Sequence, residues 1–424
     1  MMNEVAAQDA LPVAAFVALD WADKKHAGML STDGQTRESF ELEQTPEAID
    51  SWVAGLRKRF PGAPIAVGLE QSKGALIHAL LKYDLFRLYP INPKQLARFR
   101  EALAPSGAKD DPGDAALLLE LLTKHRDHLR LWRPDDPTTR LIGQLAEDRR
   151  HLVENRTRLV NAMKSRLKQY FPLALEVLGE LDTELACQFL LQWGSLEELQ
   201  REQPETIAAF YHAGKCRHPQ LIAQRLEKIV AATPLVTDSA ILHSGRLMVQ
   251  SLAAQLLSLV EPIENYDRQL SKLMDEHVDA EIFRSFPGAG PAMAPRLLAA
   301  FGTDRSRLRS ADQVQSYSGI APVLVRSGKT HQVHRRWACN KFLRQTFHEF
   351  AGLSLRSSAW AKAYYDQMRS RGAKHQAAIR SLAFKWIRIL FRCWQSRTLY
   401  NEVHYFQQLY RKQSALLKFM ASPQ

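Results

Sequence analysis

Hydrophobic and polar positions follow one period over the first third of this chain and another over the rest. Val13–Asp20 is an apolar run rich in β-branched residues, and His26–Thr32 and Gln35–Leu42 follow as two more strands about Asp33-Gly34, a hairpin signal. Thr45-Pro46-Glu47 sets a capping hydroxyl before a proline at the first helical position, which predicts a helix to about Phe60. Pro64–Glu70 reads as a buried strand. A helix over Gly74–Tyr83, a strand Leu85–Tyr89, a helix Pro93–Leu103 and a last helix opening near Asp111 follow. The predicted order is β-β-β-α-β-α-β-α.

From Asp135 the spacing turns helical. Leu141, Leu145, Leu152, Leu159, Met163 and Leu167 predict one long helix to Tyr170. Val249, Leu252, Leu256, Leu259, Ile263, Tyr266, Leu270 and Leu273 alternate steps of three and four, a heptad seam that fits an antiparallel hairpin or a dimer interface. Pro262 lies inside it and is expected to kink or interrupt the helix. Residues 172–245 read as helical and loop-rich. Further on, Phe286-Pro-Gly-Ala-Gly-Pro291 runs into Ala294–Phe301, either a phosphate-presenting turn or a plain turn between helices. An irregular stretch Ile320–His334 precedes helices near Asn340–Leu355, Trp360–Arg369 and Lys374–Trp394. The expected fold class is α/β plus all-α. Residues 1–130 have the strand order of a ribonuclease-H-like sheet, 131–280 form a helical coiled-coil region, and 281–424 a basic helical domain.

Composition excludes several classes. With 424 residues, 46% hydrophobic and 24% charged, the chain has the make-up of a folded globular protein. Ala10–Leu19 follows Glu4 and Asp9 and is too short to span a bilayer, so a cytoplasmic protein without a membrane partner is expected. Cys187, Cys216, Cys339 and Cys393 form no Cys-x-x-Cys pair and read as reduced thiols. Charge is more informative. Residues 1–120 carry 13 basic and 17 acidic side chains, 121–280 carry 20 and 22, and 281–424 carry 24 and 6, which places a balance of +18 in the last third. A region of that charge attracts a polyanion, and nucleic acid is the partner expected. Trp337, Phe342, Trp360, Tyr364, Tyr365, Trp386 and Trp394 are interleaved with the basic residues as base-stacking or core aromatics.

Four carboxylates carry the candidate chemistry. Asp20 and Glu70 close predicted strands, and Asp111 and Asp114 open the last helix of the first third, three residues apart and on one face. Carboxylates converging from two strand ends and a helix start supply hard oxygen ligands for Mg²⁺, and a pair of such ions activates a nucleophile and stabilises a leaving oxygen. The competing reading makes Asp111 an N-cap, Asp114 a dipole partner and Asp20 a strand end. Asp23 and Asp110 are acidic neighbours of the set.

Ala18-Leu-Asp20-Trp-Ala-Asp-Lys-Lys, Gly68-Leu-Glu70 and Lys109-Asp-Asp111-Pro-Gly-Asp114-Ala resemble the Asp-Glu-Asp-Asp (DEDD) tetrad of an insertion-sequence transposase family. It is the insertion-sequence one-hundred-ten family, relatives of the Piv DNA invertase. Phe286-Pro-Gly-Ala-Gly-Pro, Tyr317-Ser-Gly-Ile-Ala-Pro322 and Arg326-Ser327-Gly328-Lys329 are similar to its second conserved block. The resemblance implies a RuvC-like Mg²⁺ site at Asp20, Glu70, Asp111 and Asp114, and a catalytic serine, Ser327, that cleaves DNA through a phosphoserine intermediate. It further implies a composite site assembled between protomers in a homo-oligomer (dimer or tetramer), donor and target DNA as partners, and a noncoding bridge RNA that pairs with both. Many relatives have Thr where this chain has Asp110, and the three-residue step to Asp114 favours Asp111. Ser318 precedes Gly319 and is a rival nucleophile on local chemistry. Arg326, Lys329, Arg335, Arg336 and Lys341 are candidate nucleic-acid contacts, while His331 and His334 are candidate proton carriers or phosphate contacts. Two other functions fit the residues: a junction-resolving nuclease whose carboxylates activate water, and a non-catalytic nucleic-acid scaffold.

Overall fold

The computed structural model describes residues 12–70, 74–103, 111–328 and 330–420. By its contacts the chain divides into Met1–Pro134 and Asp135–Gln424.

In the first unit the apolar runs become β1 (Ala15–Asp20), β2 (Lys25–Ser31), β3 (Glu38–Glu43), β4 (Ile65–Leu69) and β5 (Phe86–Pro90). With them come α1 (Pro46–Arg59), α2 (Ala75–Leu80), α3 (Pro93–Leu103) and α4 (Asp111–Lys124). The sheet order is β3-β2-β1-β4-β5. β1 runs antiparallel to β2, and β2 to β3, whereas β1, β4 and β5 are parallel. This arrangement is compatible with a ribonuclease-H-like sheet. Thr45 caps α1 through the Ala48 N–H. β3 starts three residues later than its sequence pattern because the Asp33 carboxylate takes the Gln35 and Thr36 N–H groups into the turn. Alternation sends Val17 and Leu19 of β1 and Ile65, Val67 and Leu69 of β4 into a core with α1 and α2. Ala18 packs instead with Leu118 and Leu119 of α4, and Ala66 with Leu122. Helices therefore cover both faces of the central strands.

The second unit is built on two long helices, α5 (Pro137–Tyr170) and, after α6 (Leu173–Leu178), α7 (Glu184–Gln192), α8 (Leu196–Arg201), α9 (Pro204–Ala213) and α10 (Pro219–Ala231), the helix α11 (Ser239–Glu276). Thr139 meets His277, Arg149 meets Asp267 and Arg166 meets Ser244, so α5 and α11 are antiparallel. The heptad residues are buried or half-buried, and the partner along this seam is α5 of the same chain. α11 runs on through Pro262 without interruption. Pro262 and Ser258, whose carbonyl proline cannot bond, are both exposed, so solvent is free to take that bond.

One end of the pair, with α6 to α10, encloses Tyr170, Phe171, Phe189, Trp193 and Tyr211. At the other end Ile142, Ala146, Leu270 and Met274 join the core of the C-terminal helices. These are α12 (Ala280–Arg284), α13 (Ala294–Phe301), α14 (Ala311–Tyr317), α15 (Lys341–Ser354), α16 (Ala359–Ser370), α17 (His375–Ser396), α18 (Glu402–Arg411) and α19 (Leu416–Met420). Between α14 and α15 the stretch read as irregular is a two-stranded ribbon, β6 (Val323–Ser327) with β7 (Thr330–His334). In the turn before α13 a Cβ on Gly288 would press on the Leu353 and Ser354 backbone at 3.0 Å. All four cysteines are free thiols. Among the described residues no helix is long and apolar enough to cross a membrane.

Candidate active site

The carboxylate site is built by the parallel pair at the centre of the sheet. The last paired position between β1 and β4 is Leu19 opposite Leu69, so Asp20 and Glu70 each stand one residue beyond it at neighbouring strand ends. Both share parity with the residues that face α4, Ala18 in β1 and Ala66 in β4. Asp20 is 7% exposed, and Glu70 is half-buried. Asp114 lies in the first turn of α4 and is 2% exposed. Arg100, on α3, donates through Nε to Asp114 Oδ1 at 2.9 Å and through Nη2 to the same oxygen. The structure therefore places Asp20, Glu70 and Asp114 on the α4 side of the sheet. Asp111 begins α4, but its side chain, like the whole of Asp110, lies outside the described residues. Among the described residues no three Asp, Glu, His or Cys side chains form a ready metal cage.

Carboxylate oxygens are donors of the kind a hard cation takes. Asp20 and Asp114 are buried carboxylates, costly to desolvate without a positive partner, and at Asp114 a guanidinium supplies that charge. Neither spacing nor periodicity marks Arg100 in the sequence. Only the packing of α3 beside α4 brings it to the acid.

The two serines have opposite settings. Ser318 is 0% exposed at the C-terminal end of α14 and donates to the Gln315 carbonyl at 3.3 Å, a hydroxyl spent on capping. Ser327 ends β6 and is exposed, paired with Thr330 of β7 and followed by Gly328 at φ +53. That left-handed angle is cheap for glycine. Arg326, Arg335 and Lys341 are exposed, and Arg336 is half-buried. Lys329 and the His331 side chain lie outside the described residues, while His334 bonds Gln332 at 3.0 Å. Of the seven aromatics noted in the sequence, Trp360, Trp386, Trp394 and Phe342 are core, and Tyr364 and Tyr365 are half-buried. Trp337 alone of the seven is exposed, at 69%.

Residues 17–172, which include all four carboxylates, match a family model for the DEDD transposases of IS110. Residues 280–366, which include Ser327, match a second model described as Transposase IS116/IS110/IS902 family. The chain is similar over nearly its whole length to three insertion-element proteins. The IS117 mini-circle protein of Streptomyces coelicolor is 30% identical over 95% of this chain and 98% of its own. The IS110 protein of the same species is 25% identical over 93% and 97%. The IS900 protein of Mycobacterium paratuberculosis is 26% identical over 92% and 98%. With both conserved blocks present in order and a relative matched from end to end, this chain belongs to the IS110 family of insertion-sequence transposases, enzymes whose substrate is DNA and whose reaction is its cleavage and rejoining.

Proposed function

We propose that this transposase cleaves DNA with Ser327 as nucleophile and with Mg²⁺ held by Asp20, Glu70, Asp111 and Asp114. The observation that carries the serine assignment is the contrast between an exposed Ser327 beside a turn glycine and a fully buried Ser318. In the cleavage step the Ser327 hydroxyl loses its proton, an Oγ–P bond forms, and the P–O bond to the departing strand breaks with protonation of its oxygen. Attack on the phosphoserine by the hydroxyl of an incoming strand reverses these changes, joins the new strand and regenerates serine. A bound Mg²⁺ supplies Lewis-acid stabilisation of charge on the phosphate oxygens. The acids hold that ion; burial of Asp20 and Asp114 excludes the water that would weaken it.

Domains 1–130, 131–280 and 281–424 then carry the metal site, the helical scaffold and the serine with the basic surface. Arg326, Lys329, Arg335, Arg336 and Lys341 contact nucleic acid. Two duplexes must be held at once, so the active form is a homo-oligomer, and a bridge RNA supplies the pairing that selects donor and target. The test is a denaturing gel for protein–DNA adduct, using DNA from the native locus, co-purifying RNA and Mg²⁺. An adduct with the wild type, absent with Ser327→Ala and in EDTA, is expected. Cleavage that persists in Ser327→Ala without an adduct would replace this mechanism by attack of a metal-activated water.

A further inference from the structure

The ribbon that presents Ser327 leaves the helical core and re-enters it at one place. Gly319, just after α14, has φ +72, and a Cβ there would collide with the Cys339 side chain. The Asn340 N–H donates to the Tyr317 carbonyl at 3.3 Å. With its two roots pinned together, the ribbon between them is exposed along most of its length.

Basic side chains from three elements lie around the re-entry point: Arg335 on the chain leaving β7, Arg344 on α15, and Arg380 on α17, the last near enough to feel the charge of the other two. Arg335 lies over the Trp337 ring, 4.7 Å from its centroid, and Arg344 Nη1 is 3.5 Å from Cys339 Sγ. Burial first, and then the positive charges of Arg335 and Arg344, push Arg380 below the usual arginine range. His348, one turn beyond Arg344, is pushed down by burial, with Arg380 adding to it. Gathering like charges costs free energy in the isolated protein, and a polyanion recovers that cost. The exposed indole beside them adds a flat apolar face that the core does not use. Clustered guanidiniums with an exposed aromatic are what an unpaired strand needs, one to hold phosphates and the other to stack a base.

We propose that Trp337 stacks an unpaired DNA base close to the phosphodiester brought to Ser327, and that Arg335, Arg344 and Arg380 hold the phosphates beside it. Identification of the cleaved phosphate rests on Ser327 being the nucleophile; the stacking site stands on Trp337 and the arginines. The occupant is unpaired because a base inside a duplex offers no free face. It is DNA because Trp337 stands three residues beyond a ribbon that is only ~13 Å long at ~3.3 Å per residue, a few nucleotides along the strand that Ser327 attacks.

The experiment uses the full chain carrying Ser327→Ala, so that binding is read without cleavage and independently of the serine chemistry. The probes are a single-stranded DNA containing 2-aminopurine, its duplex, and an RNA of the same sequence. Quenching of 2-aminopurine in single-stranded DNA and not in duplex is expected. Trp337→Ala should abolish it and Trp337→Phe retain it. Replacing Arg344 and Arg380 together by Ala should lower the slope of log K against log[salt] by about 1.4, at ~0.7 per phosphate contact on a single strand, and leave quenching at saturation intact. Unchanged quenching in Trp337→Ala, an unchanged salt slope, or Trp337-dependent quenching that is stronger with RNA than with DNA would each overturn the proposal. Loss of the covalent adduct assignment would leave these readouts untouched and remove only their link to the cleaved phosphate.

Discussion

Arg100 and Asp114 form an ion pair in which the acid is 2% exposed. A buried carboxylate stripped of its only described counter-charge keeps its desolvation cost and loses the compensation, so Arg100→Ala should destabilise the N-terminal sheet by about 3 kcal/mol. Replacing both partners by apolar side chains, Arg100→Met with Asp114→Leu, should recover most of that loss, because neither group then needs a buried partner. The urea midpoint, with hydrogen exchange in β1 and β4, measures both. Millimolar Mg²⁺ should raise the midpoint of Arg100→Ala and leave that of the double variant where it is. Absence of a Mg²⁺ effect on Arg100→Ala would count against Asp114 as a ligand. At this scale the strand-end acids Asp20 and Glu70 were legible, since a polar residue that ends an apolar run announces its position. Arg100, Arg344 and Arg380 were not, because their roles depend on which helices pack side by side.

Among the elements, α5 begins with a cap that reaches across the second unit. The Asp136 carboxylate accepts the Thr139 N–H at 2.9 Å and the Thr139 and Thr303 hydroxyls at 2.6 and 2.7 Å, while Thr139 also contacts His277 at 2.8 Å. Burial raises this carboxyl's pKa, but the Thr139 and Thr303 hydrogen bonds and the nearby His277 outweigh it and hold it at about 2. The folded value lies below the unfolded one of about 3.9. The stabilisation is therefore complete above pH ~4 and is lost as pH falls toward ~2. Asp136→Ala should cost about 1 kcal/mol at neutral pH and progressively less as pH falls through ~2, a convergence of the two melting curves that calorimetry would show. Helices like α5 were readable from their caps and periodicity. The central strands were readable because both faces are buried. The β6–β7 ribbon was not, since Val323 to Ser327 is exposed over most of its length and alternation has no buried face to mark. The heptad seam of α11 fitted two partners equally well in sequence; the choice of α5 depended on tertiary packing.

For the whole molecule, charge and chemistry are unevenly divided along the chain. The carboxylates lie in residues 1–120, where acidic side chains outnumber basic by 17 to 13, and the serine lies in residues 281–424, where basic side chains outnumber acidic by 24 to 6. If the basic region holds DNA as proposed, counterion release should supply most of the affinity, and full-length protein should lose about a thousandfold in affinity between roughly 50 and 200 mM salt. EDTA should leave binding at low salt unchanged and abolish strand cleavage, because the proposed metal ligands contribute negative charge and no attraction for phosphate by themselves. Asp20→Asn with Glu70→Gln sharpens the separation: removing two negative charges should hold or slightly raise affinity while cleavage falls below detection. Filter binding and strand cleavage measured across the same salt series decide the matter. If EDTA or the double variant weakened binding by tenfold or more, the carboxylates would be acting through a metal in holding DNA, and the division between a binding region and a cleaving region would fail.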